Sequence, residues 1–453
     1  MPLAFTKKMV SAGKRKREMK VCTWLRNFIR EKTKNIIFNI FMKIIIIIAM
    51  ILTGYFLLVI VYGIPTEGME KHVQESCYIF EGEGVYPEPE GLAISKLDNF
   101  TDALMLLKAS FPKSESIWKA AVKVEGYSVK NKDPFQTLLA VYKYGTEDVG
   151  SGTYSRYWHG YLLFLKPLLL LFHYGQIRYI IMFIQLLLFT LLIAKLAGQK
   201  KELVFPTACM WFFINPIATM NSLQYNNVFT LTLIAMLFIV CYADRWRGDA
   251  GRWGIFFLAA GGLTSYFDLL TYPLVTLGVP LILWISFTGC EKIGSLIKDV
   301  LTMSANWAIG YGGLWGGKWI LGSIITGDNI VQNAIKAMKV RTSSVSLQES
   351  RITYFDVLRG QFPLSEKYAW VAVGVLACLL VYKIFRQKKE KIKFFLPYMI
   401  VGAYPFVWYF ILKNHSYIHS FFTYREFTIA LYACLVSIVS WDTFAAGGRE
   451  KYV

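Results

Sequence analysis

Charge is what this sequence has least of. Only 17% of its 453 residues are Asp, Glu, Lys or Arg, and acids are the scarcer sign, 30 against 49 bases. Ordinary soluble domains carry about a quarter charged residues. With 55% hydrophobic content, a soluble fold of this length is excluded. Cysteine is sparse as well. Seven are scattered along the chain without a CxxC pair, which removes zinc-ribbon and thioredoxin-like chemistry. Only Cys77 falls in an expected outer loop, so no external disulfide is expected. No P-loop, GxGxxG or HExxH occurs, which argues against an ATPase, a nucleotide-binding enzyme or a zinc protease. No small-residue cleavage site follows the first apolar run, which is also too long for a signal peptide and reads as a retained span.

What is present is a series of apolar runs. About 18 residues of helix cross a bilayer core of roughly 30 Å. The clearest run is Ile44 to Tyr62, with five consecutive isoleucines. The net charge of +19 sits in short basic clusters between runs: KKMVSAGKRKREMK, AGQKKE, DRWRGDAGRW, KIGSLIKD, RQKKEKIK and GGREKYV. They form no stripe interleaved with aromatic stacking platforms, so nucleic acid is not an expected partner. Placing all of them in the cytoplasm satisfies the positive-inside rule and gives an all-α integral membrane protein of about ten spans with both termini inside.

The expected order is a basic cytoplasmic segment 1–35, which lies on the anionic inner leaflet, then a first span 36–62. An extracytoplasmic loop 63–173 follows. Spans two to seven occupy 174–326: Tyr174–Leu196, Val204–Met220, Val228–Ala243, Gly254–Tyr266, Leu270–Phe287 and Leu301–Ile325. A second outer loop covers 327–367. Spans eight to ten occupy 368–445: Tyr368–Ile384, Phe394–Leu412 and Phe427–Phe444. The tail is 446–453. Tyr161–Phe172 is apolar but too short to cross, carries Lys166-Pro167, and reads as interfacial.

On this path every unusual polar motif lies at the outer edge. The first loop holds LDNFTDALML, with Asp98 and Asp102 four residues apart and so on one helix face, and YSRYWHGY, with Arg156 and His159. Later turns hold SLQYNN with Gln224, SYFDLLTYP with Asp268, and NHSYIHSFFTYREF with His415, His419 and Arg425. Charged groups at a membrane edge pair, line a wet cavity or do chemistry. Carboxylates supply a base or metal ligands, and Arg and His hold phosphate. Asp98 could equally cap the helix that follows it, Arg156 and His159 could be interfacial anchors beside Tyr157 and Trp158, and Asp268 could cap a turn. His72 and His173 read as structural. NFT at Asn99 and NHS at Asn414 match the glycosylation triplet, which arises often by chance.

A first span, a large acidic first outer loop, an interfacial helix and then many spans with short inner loops resemble the GT-C superfamily of polytopic glycosyltransferases. The resemblance covers most of the chain as architecture. It implies a polyprenyl-phosphate sugar donor, a glycan or lipid-linked acceptor, and transfer on the outer face of the plasma membrane with inversion. It implies Asp98 or Asp102 as base, with Glu67, Glu70 and Glu75 as substitutes. It also implies Arg156, His159, His415, His419 and Arg425 at the donor phosphate, and Asp268 and Gln224 at sugar or metal. No cofactor is required, although Mg or Mn could bridge carboxylate and phosphate. The composition fits a bacterial envelope protein. The alternative is a transporter or flippase for a lipid-linked or anionic solute, and Lys318, inside an expected span, is the residue that favours it.

Overall fold

The computed structural model describes residues 38–112, 116–288, 292–345, 350–361 and 393–440. The expected basic N-terminal segment, the eighth span and the C-terminal tail lie outside them. The chain divides into two compact units, residues 1–50 and 51–453.

Helices dominate. In chain order they are α1 (Phe38–Tyr62), α2 (Glu67–Glu83), α3 (Asn99–Ala109), α4 (Ile117–Lys123), α5 (Pro134–Tyr142), α6 (Leu162–Leu169), α7 (Tyr174–Gln199), α8 (Val204–Ile214), α9 (Pro216–Asn221), α10 (Leu223–Tyr242), α11 (Ala250–Phe267), α12 (Val275–Thr288), α13 (Ile293–Thr326), α14 (Ile330–Thr342), α15 (Tyr354–Gly360), α16 (Leu396–Gly402), α17 (Tyr404–Ile411), α18 (Lys413–Ile418) and α19 (Ser420–Val439). The last contains a tight turn at Tyr424–Phe427. Four of them, α1, α7, α10 and α19, are long and apolar enough to cross a membrane. They present Ile44, Phe183, Ile234 and other large apolar side chains outward, where lipid rather than water is the compatible solvent.

Two expected spans are broken for readable reasons. Val204–Met220 divides at Asn215, whose φ of 63° ends α8. Pro216 then opens α9 and the Asn215 side chain accepts from Ala218 N. A proline suits the first position of a helix and cannot continue one. Phe394–Leu412 likewise divides into α16 and α17, with Pro405 in the first turn of the second. The run Tyr161–Phe172 forms only the eight-residue α6, roughly 12 Å long and unable to cross.

The fold is not purely helical. In the first loop, β1 (Glu125–Ser128) pairs antiparallel with β2 (Gly150–Thr153) in the register Gly126↔Gly152. Gly126 is required by packing: a Cβ there would lie 2.5 Å from Cδ of Lys108. The buried Lys108 ammonium donates to the Gly152 carbonyl at 2.6 Å.

Helix α13 has 34 residues, roughly 51 Å of rise, well beyond a bilayer core. Its first half packs on α11 through glycine. A Cβ on Gly261 would sit 2.0 Å from the Trp307 carbonyl oxygen, and one on Gly310 would sit 1.9 Å from that of Leu258. Its second half carries the loop elements α4 and α14. Lys318 belongs to this half. Its ammonium donates to the carbonyls of Ala121 (3.3 Å) and Val122 (3.0 Å) at the end of α4, a favourable place for a cation. Lys166 does the same for α3 through the Ala109 carbonyl at 2.9 Å.

Candidate functional site

The two carboxylates that first draw attention hold the loop in place. Asp102 is fully buried on α3. It accepts from Tyr174 Oη (2.6 Å), Leu223 N (2.8 Å), Gln224 N (3.1 Å) and Ser222 Oγ (3.2 Å). It thus receives the bare N–H groups that open α10. Tyr174 also accepts from Arg178 at 2.7 Å, and Arg178 forms a bidentate pair with Glu83 at 2.5 and 2.9 Å. With four donors on two oxygens, Asp102 is read as an anchor and the expectation of a base there is corrected. Burial raises its pKa against the opposing pull of Tyr174 and Arg178.

Asp98 is the N-cap of α3. Its oxygens accept from Thr101 N (3.0 Å) and Thr101 Oγ1 (2.8 Å), the capping role open to it in the sequence. Burial pushes its carboxyl up to about 7, opposed by the Thr101 bonds.

Two more expected ligands are engaged elsewhere. His159 is buried with both nitrogens in contact, Nδ1 with Tyr161 Oη (3.0 Å) and Nε2 with the Tyr154 carbonyl (2.9 Å). Arg425 is wholly buried. It donates to the carbonyls of Ile214 (2.9 Å), Phe421 (3.3 Å) and Ile94 (3.4 Å), and lies over the rings of Tyr225 and Tyr424 at 4.3 and 4.8 Å. It ties α8, the first loop and α19 together, and phosphate contact there is corrected to a structural role. Gln224 is buried beside Asp102, with Oε1 lacking a hydrogen-bond partner.

The structure does bring Asp268, His415 and His419 to one place, and adds residues the sequence reading passed over. Asp268 ends α11 and folds the next turn on itself, accepting from Thr271 Oγ1 (2.6 Å) and Thr271 N (3.1 Å). That turn forces Leu270 to φ 69°, a strained conformation for a branched residue. The Leu270 carbonyl faces His415 Nε2 at 2.9 Å. Since burial holds His415 neutral, its one N–H is spent on that carbonyl and Nδ1 is left as an acceptor. His415 therefore positions the turn and is no phosphate donor. His419 lies 4.8 Å away ring to ring and stacks on Phe422. Burial and the charge of Arg341 bring its pKa down to about 4.

Arg341, in the last turn of α14, is the cation here. Its guanidinium lies over the ring of buried Tyr157, 5.4 Å from the centroid. Arg156 lies over Tyr154 at 5.0 Å and donates to Asn333 Oδ1 at 2.8 Å, and the Tyr154 and Tyr157 rings are 5.4 Å apart. Among the described residues neither arginine has a carboxylate ion pair. Across Tyr311 stands Glu426. Its Oε1 accepts from Leu274 N at 3.2 Å, while Oε2 is buried without a partner. The charges of Asp268, Arg341 and Glu426 all reach the Tyr311 hydroxyl. A buried carboxyl oxygen without a partner and arginines without counter-ions are each features that structural packing alone disfavours.

No family model, curated protein or solved structure matches this chain. The site's chemistry is therefore read from its own geometry.

A groove of about 530 Å³ opens between α6, α7 and α10. Its walls include Phe164, Ile177 and Ile181, and its one polar strip is Asn226, Asn227 and Thr230. Phe267, the residue before Asp268, is part of its lining. Among the described residues no three His, Cys, Asp or Glu side chains form a group fit to hold a metal ion.

Glu426 had a signal that went unused. It stands directly before the apolar run FTIALYACLV, where an acid is costly. The neighbouring Arg425 drew the attention. Arg341 had no signal: in MKVRT it looks like any basic loop residue.

Proposed function

We propose that the chain is a polytopic membrane glycosyltransferase of GT-C type, with about ten spans and both termini in the cytoplasm, acting on the outer face of the plasma membrane. The observation that carries this is Glu426 Oε2, buried without a hydrogen-bond partner, and Arg341, a cation without a carboxylate ion pair among the described residues, both within electrostatic reach of the Tyr311 hydroxyl in a chain that also has an apolar groove. A lipid-linked sugar phosphate needs these three features together: an apolar bed for its chain, cations for its phosphate and a base for the incoming hydroxyl.

In this reading the isoprenoid chain of a polyprenyl-phosphate sugar lies in the groove. Arg341 and Arg156 hold the phosphate, guanidinium geometry suiting its oxygens. Glu426 takes the proton of the acceptor hydroxyl. The acceptor oxygen forms a bond to the anomeric carbon as the bond from that carbon to the phosphate oxygen breaks. Polyprenyl phosphate leaves with the bonding pair, and its added negative charge falls on the guanidiniums. One displacement inverts the anomeric centre. Lys318, which favoured a transport path, supports α4 instead.

The test is purified protein in proteoliposomes with a panel of polyprenyl-phosphate sugars labelled in the sugar. Release of polyprenyl phosphate with the label moving to a larger product supports transfer, and Arg341→Gln is expected to raise the donor KM at least tenfold. Label crossing the bilayer still attached to its lipid, without phosphate release, replaces transfer with transport.

A further inference from the structure

Helix α13 leaves the site carrying one aromatic residue per turn. Tyr311, Trp315 and Trp319 follow at intervals of four, with ring centroids 5.5 Å apart at each step. The foot of the stripe is packing: Trp307 stacks on Tyr311 at 4.9 Å and donates to Thr276. Above Tyr311 the character changes. Trp315 and Trp319 are only half-buried, on the half of α13 that packs against α4 and α14. Polar groups border them. Tyr157 stands 5.8 Å from Trp315, and its buried hydroxyl has no partner of hydrogen-bond geometry. Trp319 Nε1 donates to the Arg156 carbonyl at 3.0 Å, and Arg156 Nε is itself buried without a partner. At the foot, Glu426 Oε2 is equally unsatisfied.

Flat aromatic faces bordered by unsatisfied donors and acceptors fit a ligand with apolar ring faces and a polar rim. A glycan is such a ligand. One helical turn, about 5.4 Å, is comparable to the advance of one pyranose ring along a chain. A lipid would satisfy the rings and leave the polar groups bare. A small acceptor would not reach Trp319.

We propose that the acceptor is a glycan chain of at least three sugars, whose terminal hydroxyl meets Glu426 and whose body climbs away along Tyr311, Trp315 and Trp319. This rests on the transfer reading for its direction, and it names the class of acceptor. The site then extends a chain that already exists, so another enzyme must supply the first sugars.

The test is binding of free oligosaccharides, one to five residues long, from cello-, malto-, chito- and xylo- series, followed by saturation-transfer NMR on the detergent-solubilised protein. At least one series is expected to bind at least tenfold tighter at three residues than at one. Trp315→Leu and Trp319→Leu should each abolish that gain, and Trp315→Tyr should restore it. Melting curves on every variant separate lost binding from lost fold. Length-independent binding, or a gain that survives both leucine variants, overturns the proposal, as does the absence of length-dependent binding in every series. Release of polyprenyl phosphate by the wild type in water reports on the transfer reading separately, so each idea fails alone.

Discussion

Asp98 and Asp102 are one helical turn apart and differ in what surrounds them. Asp98 has one neighbour, Thr101, and its bonds are those of any helix cap. Asparagine caps as well as aspartate, so near pH 4, where the carboxyl is protonated, Asp98→Asn should leave thermal stability nearly unchanged and Asp98→Ala should cost about 1 kcal/mol. Asp102 closes a network through Tyr174 and Arg178 to Glu83. Removing it leaves two backbone N–H groups, a phenol and the Ser222 hydroxyl short of their acceptor. Asp102→Ala should cost more than about 3 kcal/mol, read as a lowered melting temperature in detergent. Equal losses for the two alanine variants would contradict the difference in roles. The sequence placed both acids on one helix face, which the structure has. It could not tell them apart, because the difference comes from α7 and α10, some seventy and one hundred and twenty positions away. The same limit hid Arg341, whose meaning comes only from Tyr157 and the absence of a counter-ion.

Whole elements were more legible than single residues. Long apolar runs gave α1, α7, α10 and α19, because their signal is local composition. The breaks at Asn215-Pro216 and Ala403 were legible too, in the prolines that follow, but hydropathy alone ran through them. The glycines of the glycine-rich stretch of α13 are unequal in what they pack against. Gly310 meets the backbone of α11, whereas Gly312 has nothing within 4 Å of its Cβ position. Gly310→Leu should prevent α11 and α13 from meeting and abolish the folded, monodisperse protein. Gly312→Ala should be neutral or stabilise by up to about 1 kcal/mol, since alanine is the better helix former. A comparison of expression and melting temperature checks this, and Gly312→Ala matching the loss of Gly310→Leu would contradict it.

Across the molecule, the buried acids impose a pH dependence on stability. Asp98 titrates at about 7 and Asp268 at about 6 in the fold, both raised by burial from 3.8. The folded protein therefore holds these two protons more tightly than the unfolded chain does. Their contribution is least unfavourable below about pH 4, where both states are protonated. It worsens as pH rises through the folded values and is constant above about 7. Relative to wild type, Asp98→Asn should thus gain melting temperature as pH rises from about 4 to 7, because it removes this unfavourable contribution. A rise in the wild-type curve between pH 6 and 7 that Asp98→Asn removes would have the wrong sign for a carboxyl raised by burial. His415 and His419, held neutral by burial, add a limb of the opposite sign, because the unfolded chain takes up their protons below about 6.5 and the fold does not.

The groove, the two arginines and the unpartnered Glu426 oxygen together lead to the proposal of a catalytic step at Glu426. It is tested most directly by the rate of polyprenyl phosphate release from Glu426→Gln at saturating donor. Glutamine keeps the bond from Leu274 N and the packing, and removes only the ability to take a proton. Loss of a general base lowers the rate by about a hundredfold or more, so Glu426→Gln should fall by at least that much with donor KM within about threefold of wild type. Wild-type turnover in a folded Glu426→Gln protein would contradict the assignment and return the search for a base to Asp268.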